Sequence, residues 1–309
     1  MSANMKTLII TGPTATGKSA LSLELAKRHG GIEIINADSM LVYKGLDIGT
    51  AKPPVRDRQE IPHHLIDLVT PDMRFSAGDF VREARKALDD IHARNKRALI
   101  IGGTGFYLKA LLFGLWKCGQ ANPALRASFD KLADTELFTL LCSRDATSAN
   151  RIGRNDRYRL IRALELTSET GKTLEELQKS MPDKPDPSFV IWSIDRQTDE
   201  LIERIKSRTS VMINSGLLEE ARRITAEFPD SQPLSAVGYA QAIAYLQKRP
   251  PAGRKPRTGL DGLNDEIVLA TRQLVKKQRT FLKNLLPITF ILDRDYKIFT
   301  DRFMQLYGF

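Results

Sequence analysis

A phosphate-binding loop is the strongest chemical signal in this chain. The run Gly12-Pro-Thr-Ala-Thr-Gly-Lys-Ser19 follows a short apolar strand and leads into a helical pattern. Its glycines allow backbone N–H groups to point into one concave nest, to which Lys18 adds a positive charge and the helix its positive dipole end. The pattern predicts a site for two or more linked phosphates, or else a glycine-rich turn without a ligand. The predicted contacts are Gly12, Pro13, Thr14, Ala15, Thr16, Gly17, Lys18 and Ser19, with the Ser19 hydroxyl also placed to bind Mg²⁺.

Asp38 and Thr104 follow two further predicted strands and could act on a phosphate compound held by that loop. Loops at the carboxyl ends of parallel strands surround the ligand crevice. The Asp38 carboxylate could accept a proton or hold a metal, or it could cap a local turn. The strand 97–101 ends in glycines and Thr104, where nucleotide-hydrolysing proteins with this loop carry an aspartate for magnesium. This ending favours group transfer over hydrolysis.

Positive charge is concentrated in three places. Lys and Arg exceed Asp and Glu by 47 to 37, giving a net charge of +10, which is typical of a protein with a polyanionic partner or of a merely basic enzyme. One arginine among Arg204, Lys206 and Arg208 could neutralise a departing phosphate, although spacing does not identify which. Two further sets predict either contacts to a phosphodiester backbone or solvated helix faces: Arg272, Lys276, Arg279 and Lys283 along one helix, and Arg151, Arg154, Arg157, Arg159 and Arg162.

The elements that would position these residues alternate between strand and helix. The α/β pattern predicts a parallel P-loop sheet covered by helices, with a core formed by 1–118 and 183–309. Strands are scarce in 119–182, which reads as a helical insertion. The predicted strands are 8–11, 32–36, 98–101, 189–194 and 288–292, and the predicted helices are 19–28, 76–95, 106–112, 123–133, 135–141, 156–170, 199–213, 217–228 and 264–285.

The remaining features indicate a protein of the reducing cytosol. There is no run of about 18 apolar residues, and the polar start leaves no room for a signal peptide. Cys118 and Cys142 are not spaced as a redox or metal pair. We expect a cytoplasmic monomer, because nothing in the sequence demands a dimer. His63-His64 is expected to be structural, and 249–259 a mobile basic loop.

Segments of higher specificity than the phosphate loop run through nearly the whole chain. The most specific is Asp38-Ser-Met-Leu-Val-Tyr-Lys-Gly-Leu-Asp-Ile-Gly-Thr-Ala-Lys-Pro53. The others are Pro62-His-His-Leu-Ile-Asp67, Gly102-Gly-Thr-Gly-Phe-Tyr-Leu-Lys-Ala110, Asn155-Asp156, Arg159-Leu-Ile-Arg-Ala-Leu-Glu165, Gly238-Tyr239 and Thr271-Arg-Gln273. Together with the phosphate loop, and in this order, they resemble the tRNA dimethylallyltransferase family, also called tRNA isopentenyltransferase or IPP transferase.

The resemblance implies transfer of a dimethylallyl group from dimethylallyl diphosphate to N6 of the adenine next to the anticodon of tRNA, at position 37. The phosphate loop and Mg²⁺ would then hold the diphosphate as a leaving group. By resemblance, Arg208 and Thr104 contact the same group, and Asp38 orients the amine and removes its proton. The target base would leave its stack to enter the crevice.

The resemblance also implies contacts with the anticodon stem-loop of the tRNA. They involve Asp38, Ser39, Met40, Leu41, Thr104, Arg157, Arg159, Arg162, Gly238, Tyr239, Arg272, Lys276, Arg279 and Lys283. The chain departs from the family pattern at Gly153-Arg154, where a His-Pro pair is usual, at Ala240, where a basic residue is usual, and in the longer 249–259 loop. Two other functions remain open: a small-molecule or nucleoside kinase that uses ATP on the same loop, and an NTP-gated RNA-binding module.

Overall fold

A six-stranded parallel sheet forms the centre of the computed structural model, which describes residues 6–116, 122–249, 259–286, 288, 290–292 and 296–307. The strand order is β3-β2-β4-β1-β5-β6, and every neighbouring pair is parallel. The predicted α/β sheet is therefore confirmed. The strands are β1 (Thr7–Thr11), β2 (Ile32–Asn36), β3 (His63–His64), β4 (Arg97–Ile101), β5 (Phe189–Ile194) and β6 (Phe290–Leu292).

The helices Lys18–His29 and Ala77–Ala93 pack against the sheet, since strands as uniformly apolar as these must be buried. A 3₁₀ turn lies at Gln232–Ser235. In chain order, the helices are α1 (Lys18–His29), α2 (Val55–Glu60), α3 (Ala77–Ala93), α4 (Gly105–Phe113), α5 (Pro123–Asp130), α6 (Asp134–Ile152), α7 (Arg157–Thr170), α8 (Leu174–Lys179), α9 (Thr198–Asn214), α10 (Leu217–Glu227), α11 (Tyr239–Leu246), α12 (Gly259–Leu285) and α13 (Tyr296–Tyr307).

The chain divides into two compact units, Met1–Leu112 with Asp186–Phe309, and Phe113–Pro185. The insertion predicted over 119–182 falls within the second unit, whose described residues contain helices and no strand. Its core consists of Phe129 of α5 and aliphatic residues of α6, α7 and α8. Among them Glu165 is fully buried, and both of its carboxylate oxygens accept hydrogen bonds from Arg126 at 2.6 and 2.8 Å.

The C-terminal end of the helix predicted over 135–141 is wrong, because α6 continues to Ile152. Asp145 has non-helical dihedral angles within it. The Asp145 carboxylate accepts the N–H groups of Ser148 and Leu174 at 3.0 and 2.8 Å. The side chain therefore satisfies backbone groups around the kink, and the chain resumes its helix afterwards.

An ion cluster fixes the edge of the sheet in the first unit. Glu33 in β2 is buried and accepts hydrogen bonds from both guanidinium nitrogens of Arg94, at 2.5 and 2.9 Å. Lys96 and His64 lie 2.9 and 2.7 Å from the same carboxylate. The Arg94 hydrogen bonds, aided by those of His64 and Lys96, lower the pKa of Glu33 to about 2. His63-His64 is thus an edge strand with a structural role, as predicted.

The sequence patterns did not predict several short elements, namely α2, β3, α8, α11 and α13. The strand predicted over 288–292 is shorter, at Phe290–Leu292. Cys118 and residues 250–258 of the predicted basic loop lie outside the described residues. Among the described helices, none combines the length and apolar character that a membrane span requires.

Candidate active site

The phosphate loop connects β1 to α1 through a tight turn of the backbone. Gly12 has a φ of +140°, and a side chain there would place its Cβ 2.1 Å from the carbonyl oxygen of Ile194. Gly17, with a φ of +101°, caps α1 without a side-chain hydrogen bond. The N–H groups of the first helical turn have no partners within the helix. The loop and the helix end thus provide backbone donors for an anion.

Lys18 lies within this loop. Its Nζ donates to the carbonyl oxygens of Gly12 and Pro13 at 2.9 and 2.6 Å. Burial lowers the pKa of Lys18 to about 8, the Asp38 carboxylate opposes this shift, and the Arg208 guanidinium adds to it. Lys18, Asp38 and Arg208 therefore lie within electrostatic reach of one another.

Arginines that follow β5 surround the loop from the side of α9. Arg208 donates to the Thr14 hydroxyl at 3.0 Å and to the Thr50 carbonyl at 3.4 Å. Arg196 and Arg204 donate to the loop carbonyls of Thr16 and Ala15 at 2.7 and 2.8 Å. Lys206, in contrast, pairs with Glu203 on the surface. The structure thus places Arg208 on the loop's side chains and the other two arginines on its backbone.

Asp38 and Thr104 meet where β2 and β4 end. Asp38 Oδ1 accepts the Met40 N–H at 2.9 Å, so the residue does cap its own turn. The Thr104 hydroxyl accepts the Ser39 N–H at 3.0 Å, and the Thr104 N–H donates to Ala37 at 3.3 Å. These bonds hold the two loops together. Asp38 Oδ2 is not used by that turn, so capping leaves a carboxylate oxygen for chemistry.

The donor set at this site fits a magnesium ion that arrives with phosphate oxygens. Ser19 is exposed in the first turn of α1, and hydroxyl and carboxylate oxygens are hard donors that Mg²⁺ prefers. Within the described residues, no group of three or more His, Cys, Asp or Glu side chains is arranged to hold a metal. Because Mg²⁺ in phosphate sites is bound by few protein oxygens and by the substrate, the residues present suffice.

Ten of the residues predicted to contact tRNA fall into three classes. Arg159, Arg272, Lys276 and Lys283 are exposed, and Ser39, Met40 and Leu41 are half-buried. Arg157, Arg162 and Arg279 already bind protein groups: Arg157 binds Asp134, Arg162 binds Glu165, and Arg279 binds Asp195 at 2.8 Å and the Arg196 carbonyl at 2.6 Å. Within the first class, Arg159 lies 3.4 Å from Asp156, so Arg272, Lys276 and Lys283 are the residues whose charges remain available to a polyanion.

Gly238 and Tyr239, which were also predicted to contact tRNA, are both buried. The Tyr239 hydroxyl donates to Glu220 at 2.6 Å. The Glu220 carboxylate also accepts the N–H groups of Asp47, Ile48 and Gly49 at 2.9 to 3.0 Å. Tyr239 and Glu220 therefore hold the loop that presents the Thr50 carbonyl to Arg208.

Sequence reasoning missed Arg196, Glu220 and Gln278. Gln278 binds the phosphate loop through the Thr14 N–H at 2.9 Å. Its position carried a signal, because it lies between Val275 and Leu282 in the buried stripe of α12, where a polar residue requires a partner. Glu220 carried the same signal, because it lies with Leu217 and Ile224 on the buried stripe of α10. Arg196 carried no comparable signal, since its partner in the phosphate loop is the backbone carbonyl of Thr16.

Comparisons with known proteins agree with the geometry. The family model "IPP transferase" matches residues 41–285, a region that begins after the phosphate loop. A tRNA dimethylallyltransferase 2 of Geotalea uraniireducens (strain Rf4) is 41% identical over 295 residues, which cover 93% of this chain and 92% of the relative. The crystal structure of a tRNA delta(2)-isopentenylpyrophosphate transferase from Staphylococcus epidermidis is 30% identical, with a TM-score of 0.68 over 98% of this chain and 99% of that one.

A eukaryotic dimethylallyltransferase acting on tRNA shares the fold, with a TM-score of 0.81 and 24% identity over 97% of this chain and 78% of that one. The resemblance drawn from the sequence motifs is therefore confirmed by a family model over most of the chain and by relatives along its length. The chain belongs to the IPP transferase family.

Proposed function

We propose that this protein transfers a dimethylallyl group from dimethylallyl diphosphate to N6 of adenine 37 of tRNA and releases diphosphate. The observation that carries the proposal is the convergence of Lys18 and Arg208 on a phosphate loop whose neighbouring strand end supplies Asp38 and Thr104. Relatives named tRNA dimethylallyltransferase support the choice of reaction.

The phosphate loop acts on a leaving group in this reaction. The allylic C–O bond breaks, and the diphosphate departs with the electron pair. Backbone N–H groups of the loop, Lys18 and Arg208 stabilise the negative charge that develops on the bridging oxygen. No phosphoryl group moves. β4 is followed by Gly102-Gly103-Thr104 and not by the aspartate that binds magnesium in nucleotide-hydrolysing proteins. This difference favours group transfer over hydrolysis.

Asp38 acts on the nucleophile. The exocyclic amine of adenine is weakly nucleophilic, because its lone pair is delocalised into the ring. The Asp38 carboxylate orients this amine and accepts its proton as the N–C bond forms. Thr104, which the Ser39 N–H binds, lies beside Asp38 and contacts the diphosphate. The proton therefore goes to Asp38, and the electron pair of the broken bond goes to diphosphate.

Mg²⁺ would be held by the Ser19 hydroxyl together with diphosphate oxygens, and when bound it supplies further charge neutralisation for the leaving group. The tRNA contacts are proposed for the exposed Arg272, Lys276 and Lys283 of α12 and, in the second unit, for Arg159. tRNA as substrate favours a cytoplasmic location, and the monomeric state stays a prediction.

The test is incubation of purified protein and Mg²⁺ with radiolabelled dimethylallyl diphosphate and unmodified tRNA. We expect label in the tRNA, and after nuclease digestion, in one adenosine 3′ of the anticodon. An absence of transfer, together with ATP turnover on a small acceptor, would establish the kinase function instead. Tight RNA binding without either reaction would identify an RNA-binding module.

A further inference from the structure

The side chain of Gln278 in α12 joins two loops that carry proposed catalytic groups. Its Oε1 accepts the Thr14 N–H of the phosphate loop at 2.9 Å. Its Nε2 donates to the Gly103 carbonyl at 3.1 Å. One end of the amide thus meets a donor and the other an acceptor. A reversed amide would lose both bonds, so the two partners fix its orientation.

Gln278 is half-buried and lies close to the loop that follows β4. It is on the stripe of α12 that contains the buried Val275 and Leu282. A Cβ added at Gly103 would lie 2.8 Å from the Gln278 Nε2, so a larger residue at position 103 would displace the amide from this place. The small size of Gly103 therefore leaves room for the Gln278 amide between the two loops.

A continuous series of contacts runs from the phosphate loop to the proposed base. Gln278 connects Thr14 to Gly103, Gly103 precedes Thr104, and the Thr104 hydroxyl accepts the N–H of Ser39, the residue after Asp38. The strand ends are also joined directly, because the Thr11 hydroxyl donates to the Gly102 carbonyl at 2.9 Å and the Ala37 N–H to the Ile101 carbonyl at 2.7 Å. Gln278 adds a link from the phosphate loop itself, through its hydrogen bond with the Thr14 N–H.

From this arrangement we infer that Gln278 is a positioning residue, which sets the distance between the diphosphate and the attacking amine. The inference rests on the proposed function. In-line displacement requires the leaving group, the allylic carbon and the amine to be aligned, and a misplacement of about 1 Å can cost about 100-fold in rate. Gln278 touches neither substrate and acts through Thr14 and the Gly103-Thr104 turn.

The test compares Gln278→Ala with Gln278→Glu and with Gln273→Ala, an exposed glutamine on the same helix. We expect Gln278→Ala to lower kcat/KM for dimethylallyl diphosphate about 10- to 100-fold, with the Kd for tRNA changed less than about twofold. Gln278→Glu retains an acceptor for Thr14 but sets an oxygen against the Gly103 carbonyl, so it should lose activity as well. Gln273→Ala should match the wild type.

A double-mutant cycle separates positioning from mere stability. If Gln278 acts through Thr104, then Gln278→Ala in a Thr104→Val background should cost far less kcat than it does alone. Full additivity of the two losses, or equal loss of kcat, tRNA affinity and Tm in Gln278→Ala, would overturn the inference.

Diphosphate binding, measured by calorimetry without tRNA, distinguishes failure of this inference from failure of the proposed function. Gln278→Ala should weaken diphosphate binding, since the Thr14 end of the loop loses its support. A wild-type protein that binds diphosphate but transfers no prenyl group would refute the proposed function alone. Equal diphosphate affinity and equal activity of Gln278→Ala and wild type would refute the positioning role.

Discussion

Replacement of Asp38 by Asn isolates the carboxylate charge from the fold. Asp38 Oδ1 accepts the Met40 N–H at 2.9 Å, and the amide oxygen of Asn can accept the same bond. The turn after β2 should therefore persist. What is lost is the acceptor for the amine proton, and loss of a general base costs about 10²- to 10⁴-fold in kcat, or about 3 to 5 kcal/mol of barrier.

Asp38→Asn should lower turnover strongly, but it should change the binding of the two substrates little and should not weaken it. Asp38 repels a diphosphate anion, so at a pH well below 8, where Lys18 stays charged, its neutralisation should leave KM for dimethylallyl diphosphate unchanged or lower. The tRNA Kd should stay within about twofold, because phosphate contacts dominate that affinity. The assay is single-turnover transfer at saturating tRNA and donor, with tRNA binding measured separately and Asp89→Asn, an exposed carboxylate on α3, as the matched control.

Two outcomes would refute the assignment of Asp38 as the base. One is a loss of less than about tenfold in kcat, which is below the range for removal of a general base. The other is a parallel loss of kcat and tRNA affinity, which would make Asp38 a binding or structural residue. A changed Tm of Asp38→Asn relative to Asp89→Asn would show that the turn had not survived.

Three further predictions follow from charge and burial. Burial lowers the pKa of Lys18 to about 8, and the Asp38 carboxylate opposes this lowering. Diphosphate affinity should therefore fall as pH rises through about 8, and in Asp38→Asn the same fall should occur at a lower pH. Calorimetric pH profiles that coincide for the two proteins would contradict this. Joint replacement of Arg272, Lys276 and Lys283 by Gln should flatten the slope of log Kd for tRNA against log salt concentration by about 2 to 3. Arg279→Gln, in contrast, loses the ion pair with Asp195, so it should lower Tm and have little effect on that slope. The pKa of Glu33 is lowered from 4.5 to about 2, so its ion pairs stabilise the fold above about pH 4.5, and this stabilisation is lost as pH falls towards 2. Because Arg94 and Lys96 are about 40% exposed, solvent weakens these pairs. Glu33→Gln should therefore lower the free energy of unfolding in urea by about 2 kcal/mol at pH 7 and leave it unchanged near pH 2.

Local sequence patterns predicted the sheet and its catalytic edge well. β2 and β5 have the predicted bounds, because buried strands with apolar runs are distinct from the amphipathic helices around them. The phosphate loop, Asp38 and Thr104 all follow such strands. Their proximity therefore follows from parallel topology, in which the carboxyl ends of strands lie at one edge.

The sequence could not predict which polar side chains are committed to the protein itself. Tyr239 belongs to a family motif and Arg279 to the basic face of α12, and both were predicted to contact tRNA. Tyr239 binds Glu220 and Arg279 binds Asp195. These partners come from distant parts of the chain, and burial depends on them. The α6 kink at Asp145 has the same origin, since its carboxylate is satisfied by Leu174 of another helix. Short elements such as α2 and β3 have too few residues to show a period.

In the proposed reaction, the phosphate loop releases an intact diphosphate while the prenyl group moves to an adenine. The most direct measurement is the stoichiometry of the products when the purified protein and Mg²⁺ react with dimethylallyl diphosphate and unmodified tRNA, with no nucleotide present. We predict one diphosphate released for each N6-dimethylallyl adenosine formed at position 37. Release of monophosphate, a requirement for ATP, or a phosphorylated RNA product would contradict this reaction.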